Sequence, residues 1–156
     1  MPGGTTIWLW KGVVGFQTSL NEGALFGIGQ GMSPLFAALS VVAALGIVVW
    51  LFPGGAAHSW LLTIALALVQ AGILGNLYDR LGMPGLVWQD SFFGHEAGQP
   101  VYAVRDFILV MIGRWPWPTF NLADSSLVCG GALLAWHALF GIHDEEPQVP
   151  PEQTTS

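Results

Sequence analysis

Three long apolar runs are the feature of this sequence that most restricts its fold. They occupy about residues 33–52, 58–78 and 123–142, and the first of them, SPLFAALSVVAALGIVVWLF, contains no charged residue. A helix needs about 20 mostly apolar residues to cross a lipid bilayer. Each run is long enough, so the sequence predicts three transmembrane helices.

The composition of the chain also indicates a membrane protein. Of its 156 residues, 53% are hydrophobic and only 9% are charged, whereas a soluble surface carries about 25–35% charged residues. The single cysteine, Cys129, excludes an internal disulfide, and the Cys and His spacing predicts no metal site. No basic cluster suggests binding to nucleic acid. We expect one integral-membrane domain over residues 1–142 and a disordered, acidic, proline-rich tail over residues 143–156.

The segments outside the apolar runs predict a little extended structure. IWLWKGVVGF, near the N-terminus, is too short and too interrupted by Lys11 and glycines to span a membrane. About forty residues separate the second and third runs, and within them PVYAVRDFILV is β-prone and bounded by turn signals. We expect a short strand or two there. A loop of this length in a small protein is usually functional.

Four small polar clusters should meet on one side of the membrane. With three spans, the start of the first, the end of the second and the start of the third share a face. The clusters are NEGALFG, GNLYDR, RDF in the intervening loop, and FNLAD. Their candidate functional residues are Asn21, Asn76, Arg80, Asp106, Asn121 and Asp124.

Residue chemistry alone leaves two interpretations of the two acids open. In the first, Asp124 only N-caps the third helix, as Asp commonly does, and Asp106 is a solvated loop acid. In the second, the two form a pair. Carboxylates placed side by side cannot both ionise, so they share a proton. One then acts as general base on a water and the other protonates the leaving group, without a metal or cofactor.

The remaining polar residues also have structural interpretations. Asn76 and Arg80 are four residues apart and share one face of a helix. They either end that helix, with a snorkelling arginine, or orient the acids and the substrate. Asn21 is either a turn residue or part of the same site. Cys129 follows within an apolar run, and we interpret it as a packing residue.

The motifs, taken in order, resemble those of the lipoprotein signal peptidase (signal peptidase II) family. The segments that carry the resemblance are NEGALFG, AGILGNLYDRL, VRDFI and WPTFNLADSSLVCGGALL, and it covers about residues 12–142. The resemblance implies an all-α membrane protein, a transmembrane helix bundle with three spans here and four in the family, plus a small extracytoplasmic β-cradle. It also implies a membrane aspartyl endopeptidase that removes signal peptides from diacylglyceryl-modified prolipoproteins by cleaving before the lipid-modified cysteine.

The resemblance assigns a role to each candidate residue. It implies that Asp106 and Asp124 are catalytic. It implies substrate-binding or orienting roles for Asn21, Asn76, Arg80 and Asn121. The implied partners are a lipid-modified prolipoprotein and membrane lipids, with no nucleic acid, no metal and no cofactor.

Two features depart from the family pattern. The family's first transmembrane helix, which ends in a motif like DxxTK, is not seen, so the chain starts near WLWKGVVGFQTSLNEGALFG, within the expected β-cradle. We expect a truncated form or a divergent member, and an inactive or truncated membrane binding protein of the same fold is the alternative function. Glu22 stands where the family more often has a small or uncharged residue, and we expect it to perturb the titration of the acids.

The orientation in the membrane follows from the resemblance. The positive-inside rule would place the arginines of the long loop in the cytoplasm. The resemblance places this loop on the extracytoplasmic face of the bacterial plasma (inner) membrane, and we adopt that orientation because the chain has only four Lys and Arg residues. Ion or proton transport would need charged groups deep within the spans, and no run has a carboxylate in its middle.

Overall fold

Three apolar helices form the larger part of the fold. The computed structural model describes residues 5–23, 28–91 and 94–140. The helices are α1 (Ser33–Leu51), α2 (Trp60–Arg80) and α3 (Leu122–Phe140). All three are long and apolar enough to cross a membrane, as predicted. The predicted second run begins and ends two residues too early. The end of the predicted third run and the tail over residues 143–156 lie outside the described residues.

Local sequence explains where the first two helices begin and end. Pro34 occupies the first turn of α1, where its missing N–H leaves no helical bond unmade. After α1, Gly55 adopts a left-handed conformation with φ of 75°, and the chain turns through a short 3₁₀ helix, Ala56–His58. Ser59 then caps α2, since its side chain accepts a hydrogen bond from the Leu62 N–H. The short connection makes α1 and α2 antiparallel neighbours.

The central helix is α2, which packs against both α1 and α3. Two glycines permit the close contact with α3. A Cβ on Gly72 would lie 2.5 Å from the carbonyl oxygen of Ala123, and a Cβ on Gly130 would lie 2.7 Å from that of Ala65. Small residues allow helix backbones to approach closely in a membrane, where packing contributes much of the association.

A four-stranded antiparallel sheet completes the fold, so a small sheet accompanies the helices as expected, but the predicted all-α class is not right. Its strands are β1 (Ile7–Trp10), β2 (Val14–Asn21), β3 (Val104–Ile112) and β4 (Trp115–Pro116), in the order β1-β2-β3-β4. The segment predicted to be extended is β3. The N-terminal segment also forms strands, because its apolar and β-branched residues pair as a hairpin across a turn at Gly12, which has φ of 75°.

The sheet lies at the end of the bundle where α1 begins, α2 ends and α3 begins. The carbonyl of Phe120 accepts hydrogen bonds from the N–H groups of Phe107 and Ile108, at 3.0 and 2.8 Å. These bonds bring the start of α3 against β3. The Ser33 hydroxyl, at the start of α1, donates to the carbonyl of Tyr102, just before β3. The polar clusters therefore meet, as the order of the spans predicted.

Candidate functional site

A cavity of about 770 Å3 lies between the sheet and the helix ends. One end of it is polar and the other is walled by apolar side chains of α2 and α3, among them Ile73, Leu127 and Val128. Of the six predicted site residues, five line the cavity, namely Asn21, Asn76, Arg80, Asp106 and Asp124. The sixth, Asn121, is 6% exposed and lies behind the two acids.

Asn121 and Asp124 form a reciprocal cap at the start of α3. The Asn121 side-chain oxygen accepts from the Asp124 N–H at 3.0 Å, and Asp124 Oδ2 accepts from the Asn121 N–H at 3.1 Å. This is the arrangement of a capping box, with Asn121 as the cap and Asp124 three residues later. The interpretation of Asp124 as the N-cap is wrong, because Asn121 fills that position. One oxygen of Asp124 remains for other partners.

A chain of amide hydrogen bonds joins the two acids. The Asn121 Nδ2 donates to Asp106 Oδ1 at 2.9 Å and to Asn76 Oδ1 at 3.1 Å. The Asn76 Nδ2 in turn donates to Asp124 Oδ1 at 2.8 Å. Because the Asn121 oxygen is already engaged by a backbone N–H, its NH2 group must face Asp106. The directions of these bonds are therefore fixed, and Asp106 and Asp124 are held in one connected network.

Asn21 reaches the second oxygen of Asp106. Its Nδ2 donates to Asp106 Oδ2 at 3.3 Å, while its Oδ1 accepts from the Gly23 N–H at 3.0 Å. The β2–β3 register explains this contact, since Ser19 pairs with Asp106 and Asn21 pairs with Val104 on the neighbouring strands. Each oxygen of Asp106 thus has one amide donor.

The environment of Asp106 changes its acidity. The residue is only 5% exposed. Burial and, after it, the negative charge of Asp124 raise the pKa of Asp106 to about 6. The hydrogen bonds from Asn21 and Asn121 and the charge of Arg80 act in the opposite direction and are outweighed. A carboxyl group with a pKa near 6 can both hold and release a proton near neutral pH, which general acid–base catalysis requires.

Arg80 supplies positive charge without a direct hydrogen bond to either acid. Its Nη2 donates to the carbonyl of Gly23 at 3.0 Å, and its guanidinium lies 5.6 Å from the centre of the Phe36 ring. Its charge interacts with those of Asp124 and Asp106. Among the described residues, the buried Nε of Arg80 has no hydrogen-bond partner. The positive charge of Arg80 therefore offsets the negative charge of the two carboxylates, and its bond to Gly23 fixes the segment that follows β2.

Three other residues differ from what the sequence suggested. Glu22 is not among the groups that shift the pKa of Asp106, and its Oε1 lies 3.0 Å from the Nε2 of His95. Cys129 is exposed and lines the cavity wall, so it is not a buried packing residue. Asp79 was not singled out, yet it is 6% exposed and contacts the residue before Asp106. Its one sequence signal is its position three residues after Asn76, on the same helix face.

The described ranges contain no group of three or more His, Cys, Asp or Glu side chains that could hold a metal ion. What the site offers is two carboxylates, four amide or guanidinium side chains, and a cavity that combines polar and apolar walls. Such a set can hold a water between two acids and exchange a proton with it. It can also orient a peptide group through amide donors and acceptors.

Comparison with known proteins identifies the family. Residues 2–140 match the family signal peptidase (SPase) II, peptidase A8. The chain is 46% identical over 133 residues to a lipoprotein signal peptidase of Rhodopirellula baltica, covering 81% of this chain and 54% of that protein. It is 43% identical over 102 residues to one of Pseudomonas aeruginosa, covering 65% of this chain and 49% of that protein.

A solved structure of a bacterial membrane enzyme matches with a TM-score of 0.70 and 26% sequence identity, over 96% of this chain and 79% of that one. The chain spans about half the length of the curated relatives it matches. The family match covers all the described residues, including the helix ends and the β3 strand that carry the polar site. The chain therefore belongs to the signal peptidase II family.

Proposed function

We propose that this chain forms the catalytic part of a lipoprotein signal peptidase. It removes signal peptides from diacylglyceryl-modified prolipoproteins by cleaving before the lipid-modified cysteine. The observation that carries the proposal is the amide network that joins Asp106 to Asp124 inside one cavity. The names of the Rhodopirellula and Pseudomonas relatives support the same activity.

The proposed mechanism is that of an aspartyl protease, with one proton shared by the two acids. Burial favours the protonated form of Asp106, whose pKa is raised to about 6. Negative charge on Asp124 is stabilised by two N–H donors and by the positive end of α3. Asp106 is thus the acid that holds the shared proton, and Asp124 is the base. Asn76 and Asn121 keep the two carboxyl groups in this relation.

The reaction then proceeds without a covalent bond between enzyme and substrate. Asp124 removes a proton from a water molecule, and the oxygen of that water attacks the scissile carbonyl carbon. At the same time Asp106 gives its proton to the carbonyl oxygen. The tetrahedral diol collapses as the carbon–nitrogen bond breaks. Asp124 passes its proton to the leaving amine, and Asp106 recovers one from the diol. Arg80 limits the build-up of negative charge around the pair.

The two ends of the cavity suit the two parts of this substrate. The amide groups of Asn21 and Asn76 line the polar end, beside the acids, where a peptide backbone would be oriented. Ile73, Leu127 and Val128 form apolar walls between the membrane helices. Because an acyl chain would come from the lipid and not from water, close packing against these walls would hold it there. Membrane lipids would occupy the same walls in the absence of substrate.

We further propose a multi-pass location in the bacterial plasma (inner) membrane, with the sheet and the acids on the extracytoplasmic face. Residues 1–142 form the peptidase domain, and residues 143–156 form a tail. A cysteine introduced at Ser91, in the Cys129→Ala background, should react with a membrane-impermeant maleimide added outside spheroplasts. Reaction only after the membrane is permeabilised would reverse this orientation.

Cleavage of a defined precursor tests the proposed activity. The purified chain in detergent is given a diacylglyceryl-modified precursor peptide and, separately, its unmodified counterpart. We expect cleavage of the modified peptide alone, giving a product whose first residue is the lipid-modified cysteine by mass spectrometry. Asp90→Asn, at an exposed acid outside the cavity lining, should cleave at the wild-type rate, and Asp124→Asn should not cleave. Binding of the modified peptide without any cleavage would instead support an inactive binding protein.

A further inference from the structure

The carboxylate of Asp79, at the end of α2, makes a set of contacts that the proposed reaction does not use. Its Oδ1 accepts from the Nε and Nη2 of Arg105, at 3.0 and 2.8 Å. Its Oδ2 accepts from the backbone N–H of Arg105, at 2.9 Å. Asp79 is only 6% exposed, and both of its oxygens are engaged. Such a buried carboxylate is stable only because donors satisfy both oxygens.

These contacts fall on the edge of β3 that turns away from β2. The Arg105 N–H on this edge is held by Asp79, and the Phe107 N–H on the same edge is held by the Phe120 carbonyl at 3.0 Å. Asp106 lies between these two amides. The end of α2 therefore fixes β3 on one side of Asp106, and the segment that leads into α3 fixes it on the other.

The same face of α2 also reaches the second acid. Asn76 and Asp79 are three residues apart, so their side chains project from one face of the helix. Asn76 donates to Asp124 at 2.8 Å, while Asp79 holds the residue before Asp106. One turn of α2 thus contacts Asp124 directly and the residue before Asp106, so the distance between the two acids depends on how β3 is attached to that turn.

We propose that Asp79 is a positioning residue that attaches β3 to α2 and thereby sets where Asp106 stands relative to Asp124. This inference rests on the proposed function, since the position of Asp106 affects a rate only if the pair cleaves peptides. The decisive bond is the one to the backbone N–H of Arg105. That bond acts on the strand backbone itself, whereas the guanidinium, whose side chain is 42% exposed against 8% for that of Asp79, is joined to the strand through a flexible side chain.

The substitution Asp79→Asn separates this role from simple bracing of the fold. The amide has one acceptor oxygen for two groups of donors, so its NH2 group must face either the Arg105 N–H or the guanidinium. In either orientation one of the two sets of bonds that attach β3 to α2 is lost next to Asp106, while the helices keep their packing. A displacement of about 1 Å near reacting groups can lower a rate by about 100-fold. Water would also reach Asp106 more easily, which would lower its pKa from about 6 towards the ordinary value.

The experiment compares Asp79→Asn with two matched variants of the full chain. Asp90→Asn makes the same chemical change at an exposed acid, and Arg105→Gln removes the guanidinium but keeps the backbone N–H. We measure kcat and KM on the diacylglyceryl-modified precursor peptide, and the melting temperature from tryptophan fluorescence. The titration of Asp106 is followed by 13C NMR of labelled aspartate. The Asp106 signal is identified as the one that is missing from the spectrum of Asp106→Asn.

For Asp79→Asn we expect kcat to fall at least about tenfold with KM within about twofold, and the Asp106 titration to move to lower pH. Asp90→Asn should keep kcat within about threefold of the wild type. Arg105→Gln, which keeps the backbone bond to Asp79, should lower kcat less than Asp79→Asn does. If Asp79→Asn does not fold, Asp79→Glu, which moves the carboxylate by one CH2 group, should lower kcat in the same way.

Two results would overturn the inference. One is an unchanged kcat and an unchanged Asp106 titration in the folded Asp79 variants. The other is a fall in kcat that is fully explained by a smaller fraction of folded protein. If the wild type cleaves nothing, the proposed function fails, but the Asp106 titration in Asp79→Asn still tests the positioning role by itself.

Discussion

Asp106→Asn should change the pH dependence of stability, because the carboxyl group of Asp106 titrates differently in the folded and unfolded chain. Its pKa is raised to about 6 in the folded protein, against about 3.9 in an unfolded chain. The folded state therefore binds this proton more tightly. The free energy of unfolding falls as the pH rises from about 4 to about 6, and it stays lower above that range. The ionised carboxylate destabilises the fold at neutral pH.

The size of this effect follows from the shift in pKa. A rise from 3.8 to about 6 corresponds to about 3 kcal/mol, at about 1.36 kcal/mol per pKa unit. Water in the cavity screens the carboxyl group, so we expect about 1–2 kcal/mol. Replacing Asp106 by Asn removes this destabilisation at high pH and has no such benefit at low pH, where the wild-type group is protonated.

The substitution also has a cost that does not vary with pH. Asn21 and Asn121 both donate to Asp106, and neither can turn its amide round, because their oxygens accept from the N–H groups of Gly23 and Asp124. An Asn at 106 can accept only one of these bonds, and its NH2 group faces the other donor. The longer bond, from Asn21 at 3.3 Å, should be lost, at a cost of about 1 kcal/mol.

The variant should therefore melt below the wild type at pH 4.5 and at or above it at pH 8. The difference in melting temperature should shift by about 2–8 °C in favour of the variant between these pH values. Tryptophan fluorescence in a non-ionic detergent, at one scan rate, measures it, with Asp90→Asn as the control for removing an exposed acid. If the difference in melting temperature is the same at all pH values, or shifts in favour of the wild type, the raised pKa of Asp106 is refuted.

Three further outcomes follow from the site and from the helix contacts. The pH dependence of kcat/KM should be bell-shaped, with an alkaline limb near pH 6 that belongs to the coupled pair, since Asp106 must keep its proton and its pKa is raised to about 6; a rate that stays constant up to pH 8 would contradict this. Cleavage should persist in EDTA, and loss of activity that a divalent metal restores would end the metal-free mechanism. Gly130→Ala should lower stability by about 1–3 kcal/mol, because its Cβ would lie 2.7 Å from the Ala65 carbonyl oxygen and from Val69 Cγ2. Gly131→Ala, with nothing within 4 Å, is the matched control and should leave the melting temperature nearly unchanged.

The helices and the meeting of the polar clusters could be predicted because they depend on local sequence. An apolar run of 19 to 21 residues determines a membrane helix almost by itself, and three spans determine which helix ends share a face. The β1–β2 hairpin was harder to predict. β1 has only four residues, β2 contains Gly15, and the two strands are stable only when they pair with each other and with β3.

The finer features of the site depend on contacts between distant residues. FNLAD contains two good capping residues, and only the structure shows that Asn121 caps α3 while Asp124 lies in the first turn. Asp79 looks like an ordinary acid at a helix end, because its partner, Arg105, is 26 residues away. Glu22 follows the site residue Asn21 in sequence, but its carboxylate contacts His95 in the structure.

Cleavage kinetics of Asp106→Asn, Asp124→Asn and the double variant test the central claim most directly. Each single variant should cleave the diacylglyceryl-modified precursor at least about 100-fold more slowly than the wild type. The double variant should be little slower than either, since residues that act as a unit are not additive. Protein abundance in the membrane should hold, because an Asn at 124 can still accept from the Asn121 N–H. Substantial turnover by Asp124→Asn, or losses that simply multiply in the double variant, would contradict a shared-proton pair.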